Sequence, residues 1–193
     1  ALVISKIIYP ELEESETMGD LKIEIGSTDV NSLDALGRGA TEGLKLAANV
    51  AAMLIAFVSV VAMFNYLLGF CNTSLQAIMG LFFKPLAWTM GVPWSEAQIM
   101  GTLMGEKLAL TELIAYDDLR TYVLSGKISD RTAIIASYAL CGFANFGSIG
   151  IQIGGLGSIA PNRRKDLANL AFKTMLGGAL ASWLTATIAG ILI

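Results

Sequence analysis

The sequence contains no histidine and only two cysteines among its 193 residues. Histidine is the commonest protein ligand for metals and the usual general base near neutral pH, so its absence argues against most metal centres and acid–base enzymes. Cys71 and Cys141 both lie in apolar segments, which favours packed free thiols over a disulfide. These absences predict a protein that is not an enzyme, binds no metal at a dedicated cluster and needs no cofactor.

Charged residues are also scarce, at 15% of the chain, whereas soluble domains carry about 25%. Three stretches have no charged residue at all: 46–83, 132–162 and 174–193. A transmembrane helix needs roughly 20 consecutive apolar residues, and each stretch is long enough. A small soluble protein could bury one such helix as a core element, but it would struggle to bury three. The sequence therefore predicts an all-α polytopic membrane protein in contact with the lipid bilayer.

Acidic residues are concentrated near the start of the chain. Residues 10–35 hold eight of the 16 acidic residues and a single base, Lys22. This pattern indicates a solvated acidic loop over 10–30, followed by an interfacial amphipathic helix over 31–45 with Asn31 or Ser32 as its N-cap. No clustered basic face is evident, so no nucleic-acid partner is expected. The acidic residues are Glu11, Glu13, Glu14, Glu16, Asp20, Glu24, Asp29 and Asp34.

The flanks of this acidic segment are apolar. Residues 1–9 are interpreted as the end of a truncated transmembrane helix, so we expect the sequence to be part of a longer protein. Residues 46–70 form one clean predicted span, with Asn49 and Asn65 near its two ends. We expect these asparagines to form interfacial or interhelical hydrogen bonds.

Residues 76–115 predict a re-entrant hairpin rather than a simple span. Their first half is apolar but contains Lys84 and Pro85, and the sequence GVPW at 91–94 signals a chain reversal. A second helix is expected to begin at Ser95 and to run through Glu112 to about residue 115. Two incomplete apolar helices joined by a turn are tolerated in a membrane only where protein or a water-filled cavity surrounds them.

Residues 131–158 predict a broken transmembrane helix. The second half of the segment contains six glycines, at 142, 147, 150, 154, 155 and 157, and each costs about 1 kcal/mol in a helix interior relative to alanine. Close packing of small residues against another helix is the alternative explanation. Asn145 and Ser148, inside the glycine cluster, favour an unwound segment. A final transmembrane helix is predicted over 164–193, after a short basic loop that should face the cytoplasm.

Glu112 is the leading candidate for a functional residue, because a carboxylate within an apolar membrane segment is costly. The alternative is a structural ion pair with Lys107 or Lys84. Asn145 and Ser148 add groups that both donate and accept hydrogen bonds, a combination that suits a neutral, polyhydroxylated substrate. Phe143 could supply an apolar face for a planar ring, although packing alone would also explain it.

Several motifs, in order, resemble the concentrative nucleoside transporters. Residues 141–149 (CGFANFGSI) are similar to the unwound seventh helix of that family, and residues 111–116 (TELIAY) to the end of its second hairpin. Residues 91–94 (GVPW), the run 154–164 (GGLGSIAPNRR) and the span 49–69 also match in order and approximate spacing. The resemblance covers nearly the whole chain.

This resemblance implies the C-terminal half of a homotrimeric symporter in the plasma membrane, or in the inner membrane of a bacterium. The half would contain the second of two inverted repeats, with residues 46–70 as a scaffold helix near the trimer axis. Glu112, Asn145 and Ser148 would contact the ribose of a nucleoside, and Phe143 would line the pocket. The base and the coupling ion, sodium or proton, would bind mainly to the N-terminal half.

One departure from the family pattern concerns the neighbours of Glu112. The family most often has asparagine before this glutamate and phenylalanine after it, whereas this chain has Thr111 and Leu113. Base preference and the coupling ion are therefore left open. The predicted function is ion-coupled nucleoside uptake by alternating access, and the alternative is a channel or structural membrane subunit without coupled transport.

Overall fold

The computed structural model describes residues 1–12 and 29–193. No strand occurs in these two ranges, and the predicted all-helical fold is confirmed for them. Residues 13–28, which carry most of the predicted acidic loop, lie outside the described residues. The helices are α1 (Leu2–Ile8), α2 (Ser32–Gly69), α3 (Leu75–Thr89), α4 (Ala97–Ala109), α5 (Glu112–Leu124), α6 (Asp130–Leu140), α7 (Phe146–Ile159) and α8 (Arg164–Leu192), with a short 3-10 turn at Pro161–Arg163 before α8.

Helix α2 begins where an asparagine caps it. The Asn31 side chain accepts hydrogen bonds from the backbone N–H groups of Leu33 and Asp34, at 3.0 and 2.9 Å. The helix then continues for 38 residues. The sequence predicted an interfacial helix and a separate span meeting near residue 45, but one helix runs through that boundary, because the residues around it are mostly leucine and alanine, which are strong helix formers.

Arg38, in the first turns of α2, bonds to Asp29, which precedes the helix. Its guanidinium donates to both carboxylate oxygens of Asp29, from Nε and Nη2, each at 2.6 Å. This hydrogen-bonded pairing holds the pKa of the Asp29 carboxyl below its ordinary value. Since both charged groups lie at the exposed beginning of the helix, this end of α2 is suited to contact with water.

Asn65 connects the end of α2 to the beginning of α3. Its side-chain amide donates to Gln76 Oε1 at 2.9 Å, and its Oδ1 accepts from the Leu75 backbone N–H at 2.8 Å. Ser74 caps α3 by accepting from the Ala77 N–H. The interhelical role expected of an asparagine in this span is therefore filled by Asn65.

Helices α3 and α4 pack tightly against each other along their length. Small residues allow this approach: a side chain at Gly101 would collide with the backbone carbonyl of Gly80. Met100, Leu103 and Met104 are fully buried between this pair and the rest of the molecule. The two helices run into each other through a turn at residues 90–96, in which Gly91 has a φ of +95°.

Two side chains hold this turn against the beginning of α6. Glu96 accepts hydrogen bonds from the backbone N–H and the hydroxyl of Ser129, at 3.0 and 2.9 Å. Arg131 donates to the carbonyl of Gly91 at 3.0 Å and to that of Gly190, near the end of α8, at 2.6 Å. Helix α4 begins at Ala97, two residues later than the expected start at Ser95, and Glu96 is its N-cap residue.

The second helix of the predicted hairpin ends earlier than the sequence indicated. Helix α4 stops at Ala109, Leu110 has a non-helical backbone with φ −111° and ψ −101°, and Thr111 is extended. Glu112 is therefore the first residue of a new helix, α5, and not a residue in the middle of α4. Thr111 is β-branched, and such residues favour an extended backbone more than leucine or alanine do.

Helix α8 lies along α6 and α7 and closes the fold. Its buried face combines four small residues with two large ones: Ala171, Met175, Ala179, Trp183, Ala186 and Gly190. Of the helices that the structure describes, α8 is the one long and apolar enough to cross a membrane by itself, and the apolar part of α2 at Val58–Gly69 is shorter.

Candidate functional site

The polar site begins with an interruption between α6 and α7. Helix α6 ends at Leu140, Cys141 has an extended backbone, and Gly142 has a φ of +110°. A residue with a Cβ rarely adopts that conformation, so this glycine permits the chain to change direction. Helix α7 begins at Phe146, and the five residues between the helices provide backbone and side-chain groups that a continuous helix would have concealed.

The carbonyl groups released by this interruption are satisfied by side chains from three other helices. Lys107 of α4 is fully buried and donates to Ala139 O at 3.0 Å. Tyr116 of α5 donates to Ser137 O at 2.7 Å, and Ser182 of α8 donates to Cys141 O at 2.6 Å. A helix terminus exposes unpaired carbonyls and carries partial negative charge, so a lysine at this position is favourable.

Asn145 and Ser148 form a capping box at the start of α7. Asn145 Oδ1 accepts from the Ser148 backbone N–H at 2.7 Å, while the Ser148 hydroxyl accepts from the Asn145 backbone N–H at 3.2 Å. Both side chains are buried, with 2% and 3% of their surface exposed. Because the amide oxygen of Asn145 is committed to the cap, the amide nitrogen is left to face another group.

That other group is Glu112. Asn145 Nδ2 donates to Glu112 Oε2 at 3.1 Å, across 33 residues of sequence. The carboxyl group is buried, with 7% of the residue exposed, and lies in the first turn of α5, where the helix dipole favours negative charge. The structure thus brings together three of the residues singled out from the sequence.

The alternative of an ion pair for Glu112 has no counterpart in the described part of the chain. None of the ion pairs within 4.0 Å there includes Glu112. Lys107 is directed to the carbonyl of Ala139, and the Lys84 ammonium lies 4.4 Å from the centre of the Trp94 ring. The carboxylate accepts a hydrogen bond from the Asn145 amide, and Lys107 interacts with it electrostatically without forming an ion pair within 4.0 Å. This arrangement leaves acceptor capacity on the carboxylate oxygens.

Phe143 occupies a different position from the other candidates. It lies on the interruption two residues before Asn145, but its ring is 69% exposed. The packing explanation is therefore not supported within this chain, because the ring has no buried environment here.

Sequence reasoning missed Lys107, Tyr116 and Ser182 as the groups that support the interruption. One signal could have indicated them: an interrupted helix leaves up to four carbonyls to be satisfied, so donors must come from elsewhere in the fold. Lys107, a cation within an apolar run, is a donor of the kind that such unpaired carbonyls need.

Comparison with known proteins identifies the relatives of this chain. The family model described as "Na+ dependent nucleoside transporter C-terminus" matches residues 1–190. The chain belongs to this family of nucleoside transporters. It is 42% identical to the nucleoside permease NupC of Helicobacter pylori and 39% identical to sodium/nucleoside cotransporter 1 of Rattus norvegicus, covering all of this chain in both cases.

The relatives are longer than this chain. It spans 48% of the Helicobacter permease and 33% of the rat cotransporter, so about half or less of the relatives it matches. A solved structure of a CNTnw variant in an intermediate 3 state aligns with a TM-score of 0.85 and 41% identity, over 99% of this chain and 48% of that one. Membership of the nucleoside transporter family confirms the resemblance drawn from the sequence motifs and supports a membrane location.

Proposed function

We propose that this chain is the ribose-binding half of an ion-coupled nucleoside transporter that works by alternating access. The coupling ion is sodium or a proton, and the other half of the site belongs to an N-terminal part joined to this chain. The protein resides in the plasma membrane, or in the inner membrane of a bacterium, as a homotrimer. Its site residues here are Glu112, Asn145, Ser148 and Phe143.

The hydrogen bond from Asn145 to Glu112 carries this proposal. Adjacent hydroxyl groups of a ribose are both donors and acceptors, so one can donate to the carboxylate while the neighbouring one accepts from the amide. A hydrogen bond to a charged group is stronger than one between neutral groups. A buried carboxylate and amide side by side therefore suit a vicinal diol and would reject an anion.

In alternating access, one binding site is exposed to each side of the membrane in turn. The groups that form the site must therefore keep their positions relative to one another while the transport part moves. In the proposed arrangement, α3 and α4 form the re-entrant hairpin, and α6 with α7 form the broken helix. Lys107 links these parts by bonding α4 to the last turn of α6, so the carboxylate that follows α4 and the amide that begins α7 stay in register. Unwound helices near the membrane midplane are a recurring means of binding substrates in transporters.

The direct test is uptake of labelled uridine and adenosine by the full-length transporter, wild type against Glu112→Gln. The variant keeps the shape but loses a charged acceptor, which is worth about 1.5–3 kcal/mol, or about a 10- to 150-fold rise in the half-saturating concentration. The matched control is Asp117→Asn, an exposed acid on the same helix, whose uptake should equal that of wild type.

Each outcome of this test separates the candidate functions. Saturable, ion-driven uptake that weakens in Glu112→Gln supports both the transport function and the ribose role. Unchanged uptake in Glu112→Gln contradicts the site assignment. Linear flux without stereospecificity would favour the channel or structural subunit instead.

A further inference from the structure

Helix α8 contacts the interruption between α6 and α7 on both sides of Phe143. Before Phe143, the Ser182 hydroxyl donates to Cys141 O at 2.6 Å. After it, Ala144 packs against Gly178, where an added Cβ would lie 3.2 Å from the Cβ of Ala144. Gly178 and Ser182 are four residues apart, so they lie on the same face of α8, one turn from each other. These two residues are called the α8 pair below.

The backbone between these two contacts forms a tight turn with Phe143 at its centre. The Ala144 N–H donates to Gly142 O at 2.9 Å, which closes a turn of three residues. Gly142 has a φ of +110°, and an added Cβ there would lie 3.3 Å from Ser182 Oγ. Ala144, on the other side, is 4% exposed. The α8 pair therefore holds the chain immediately before and after Phe143.

The direction of the Phe143 ring depends on this turn. Within the residues that the structure describes, Phe143 is 69% exposed, so the contacts of its own ring hold it only weakly. A side chain adopts one of a few staggered rotamers relative to its backbone. Any rotation of the turn would therefore carry the ring with it.

The Ser182 hydroxyl is directed to the interruption rather than to its own helix. Its oxygen also lies 3.2 Å from Gly178 O, the carbonyl four residues earlier, which is an acceptor that serines inside helices often use. A hydroxyl has one proton, and the shorter distance, 2.6 Å, is the one to Cys141 O. Ser182 thus attaches α8 to the chain two residues before Phe143.

We propose that Ser182 and Gly178 are positioning residues that set the direction of Phe143 and, through it, the discrimination between nucleobases. This proposal rests on the proposed function, in which Phe143 lines the nucleoside pocket. Attraction between aromatic rings depends on their offset and angle, so a turn held in one orientation favours a base of matching size and position. Purine and pyrimidine bases differ in both respects. The α8 pair acts on base selectivity without contacting the nucleoside.

A double-mutant cycle on the purified full-length transporter tests this role. The dissociation constants of uridine and adenosine are measured by isothermal titration for wild type, Ser182→Ala, Phe143→Leu and the double variant. Phe143→Leu removes the aromatic ring but keeps an apolar side chain. Ser182→Ala should change the ratio of the two constants by about two- to tenfold, the equivalent of one neutral hydrogen bond. It should have no further effect on that ratio once the ring is gone.

Two variants serve as controls for this cycle. Ser182→Thr keeps a hydroxyl at the same position and should retain the wild-type ratio. Thr185→Ala removes a hydroxyl that donates to Ala181 O of the same helix at 2.9 Å, and should also leave the ratio unchanged. The proposal is overturned if Ser182→Ala keeps the wild-type ratio, or if its effect on the ratio is equally large in the Phe143→Leu background.

Gly178 provides a second test, which decides the question if Ser182→Ala does not fold. Gly178→Ala places a methyl group against Ala144, so the turn must shift and the ratio of the two constants should change. Gly177→Ala is the matched control, because its methyl group would lie at the same distance, 3.2 Å, from the end of the Ile8 side chain, which can rotate away. Equal ratios in these two glycine variants would contradict the proposal.

Failure of the positioning role can be distinguished from failure of the proposed function. If the wild type binds neither uridine nor adenosine, the proposed function is refuted, and fluorine NMR then decides the positioning role. With 4-fluorophenylalanine in place of Phe143, the fluorine signal should shift in Ser182→Ala and stay in place in Thr185→Ala. An unshifted signal in Ser182→Ala would overturn the proposal.

Discussion

Asn145 performs two tasks with the two ends of one amide group. Its oxygen caps α7 by accepting from the Ser148 N–H, and its nitrogen donates to Glu112. The first task belongs to folding and the second to the proposed binding of ribose. Since different atoms are responsible, a substitution can remove one task and keep the other.

Asn145→Asp is such a substitution. Aspartate caps helices about as well as asparagine, so α7 should still form. The donor to Glu112 is replaced by a second carboxylate, which repels the first. We expect nucleoside binding to weaken by at least about tenfold, the equivalent of one lost charged hydrogen bond, measured by isothermal titration on the purified transporter. A variant with wild-type affinity would show that the amide nitrogen does not contribute.

At the residue scale, the sequence identified Glu112, Asn145 and Ser148 because polar residues in apolar segments are costly and therefore conspicuous. It could not identify their supports. Lys107 reaches a carbonyl 32 residues away and Ser182 reaches one 41 residues away. Such pairings depend on how helices pack, which local spacing does not encode.

At the scale of the helices, too, some features could be predicted from the sequence and others could not. An interruption near Gly142 was predictable, because a glycine and an asparagine capable of capping occur together there. Its extent was not, because α7 begins at Phe146 and includes Ser148 and five of the six glycines that were expected to unwind the helix. The interruption at Leu110–Thr111 was not predictable: the surrounding residues 108–115 are almost all good helix formers, and a single threonine is a weak signal. The pattern indicated one helix, while the packing of α4 and α5 against α6 requires two.

The close contact of α3 with α4 gives a prediction for the hairpin as an element. Gly101→Ala places a methyl group against the backbone carbonyl of Gly80, which cannot move without separating the helices. Overpacking of this kind costs about 1–3 kcal/mol, so the unfolding temperature of the purified transporter should fall. Gly39→Ala, in α2 with open space around it, is the control and should leave that temperature unchanged or raise it.

At the scale of the whole molecule, α6 forms hydrogen bonds with the α3–α4 turn and with side chains of α4, α5 and α8. The turn between α3 and α4 reaches its beginning through Arg131 and Glu96, while Lys107, Tyr116 and Ser182 bond the carbonyls at its end and just beyond. A membrane location followed from composition, since few charges and long apolar stretches favour lipid as the solvent, although one described helix, α8, is long and apolar enough to cross a membrane by itself. This central role of one short helix did not follow, because it arises from contacts between distant segments.

Arg131→Lys tests that central role. Lysine keeps the charge, but its single nitrogen cannot reproduce the planar fork that bonds the carbonyls of Gly91 and Gly190 together. Loss of one charge-assisted hydrogen bond should cost about 1.5–3 kcal/mol and lower both the unfolding temperature and uridine uptake. Arg120→Lys, on the exposed side of α5, should change neither, and equal behaviour of the two variants would contradict the anchoring role.

The turn between α3 and α4 has an optical consequence. Trp88 and Trp94 are in edge-to-face contact there, with ring centres 6.2 Å apart and the Lys84 ammonium against one of them. The third tryptophan of the chain, Trp183, is buried against Phe83. Indole emission responds to a nearby cation and to water, so the two tryptophans at the turn should change their emission when the turn moves. Replacing Trp183 with phenylalanine would leave a pair of native fluorophores that report when the turn moves away from α6, without any added label.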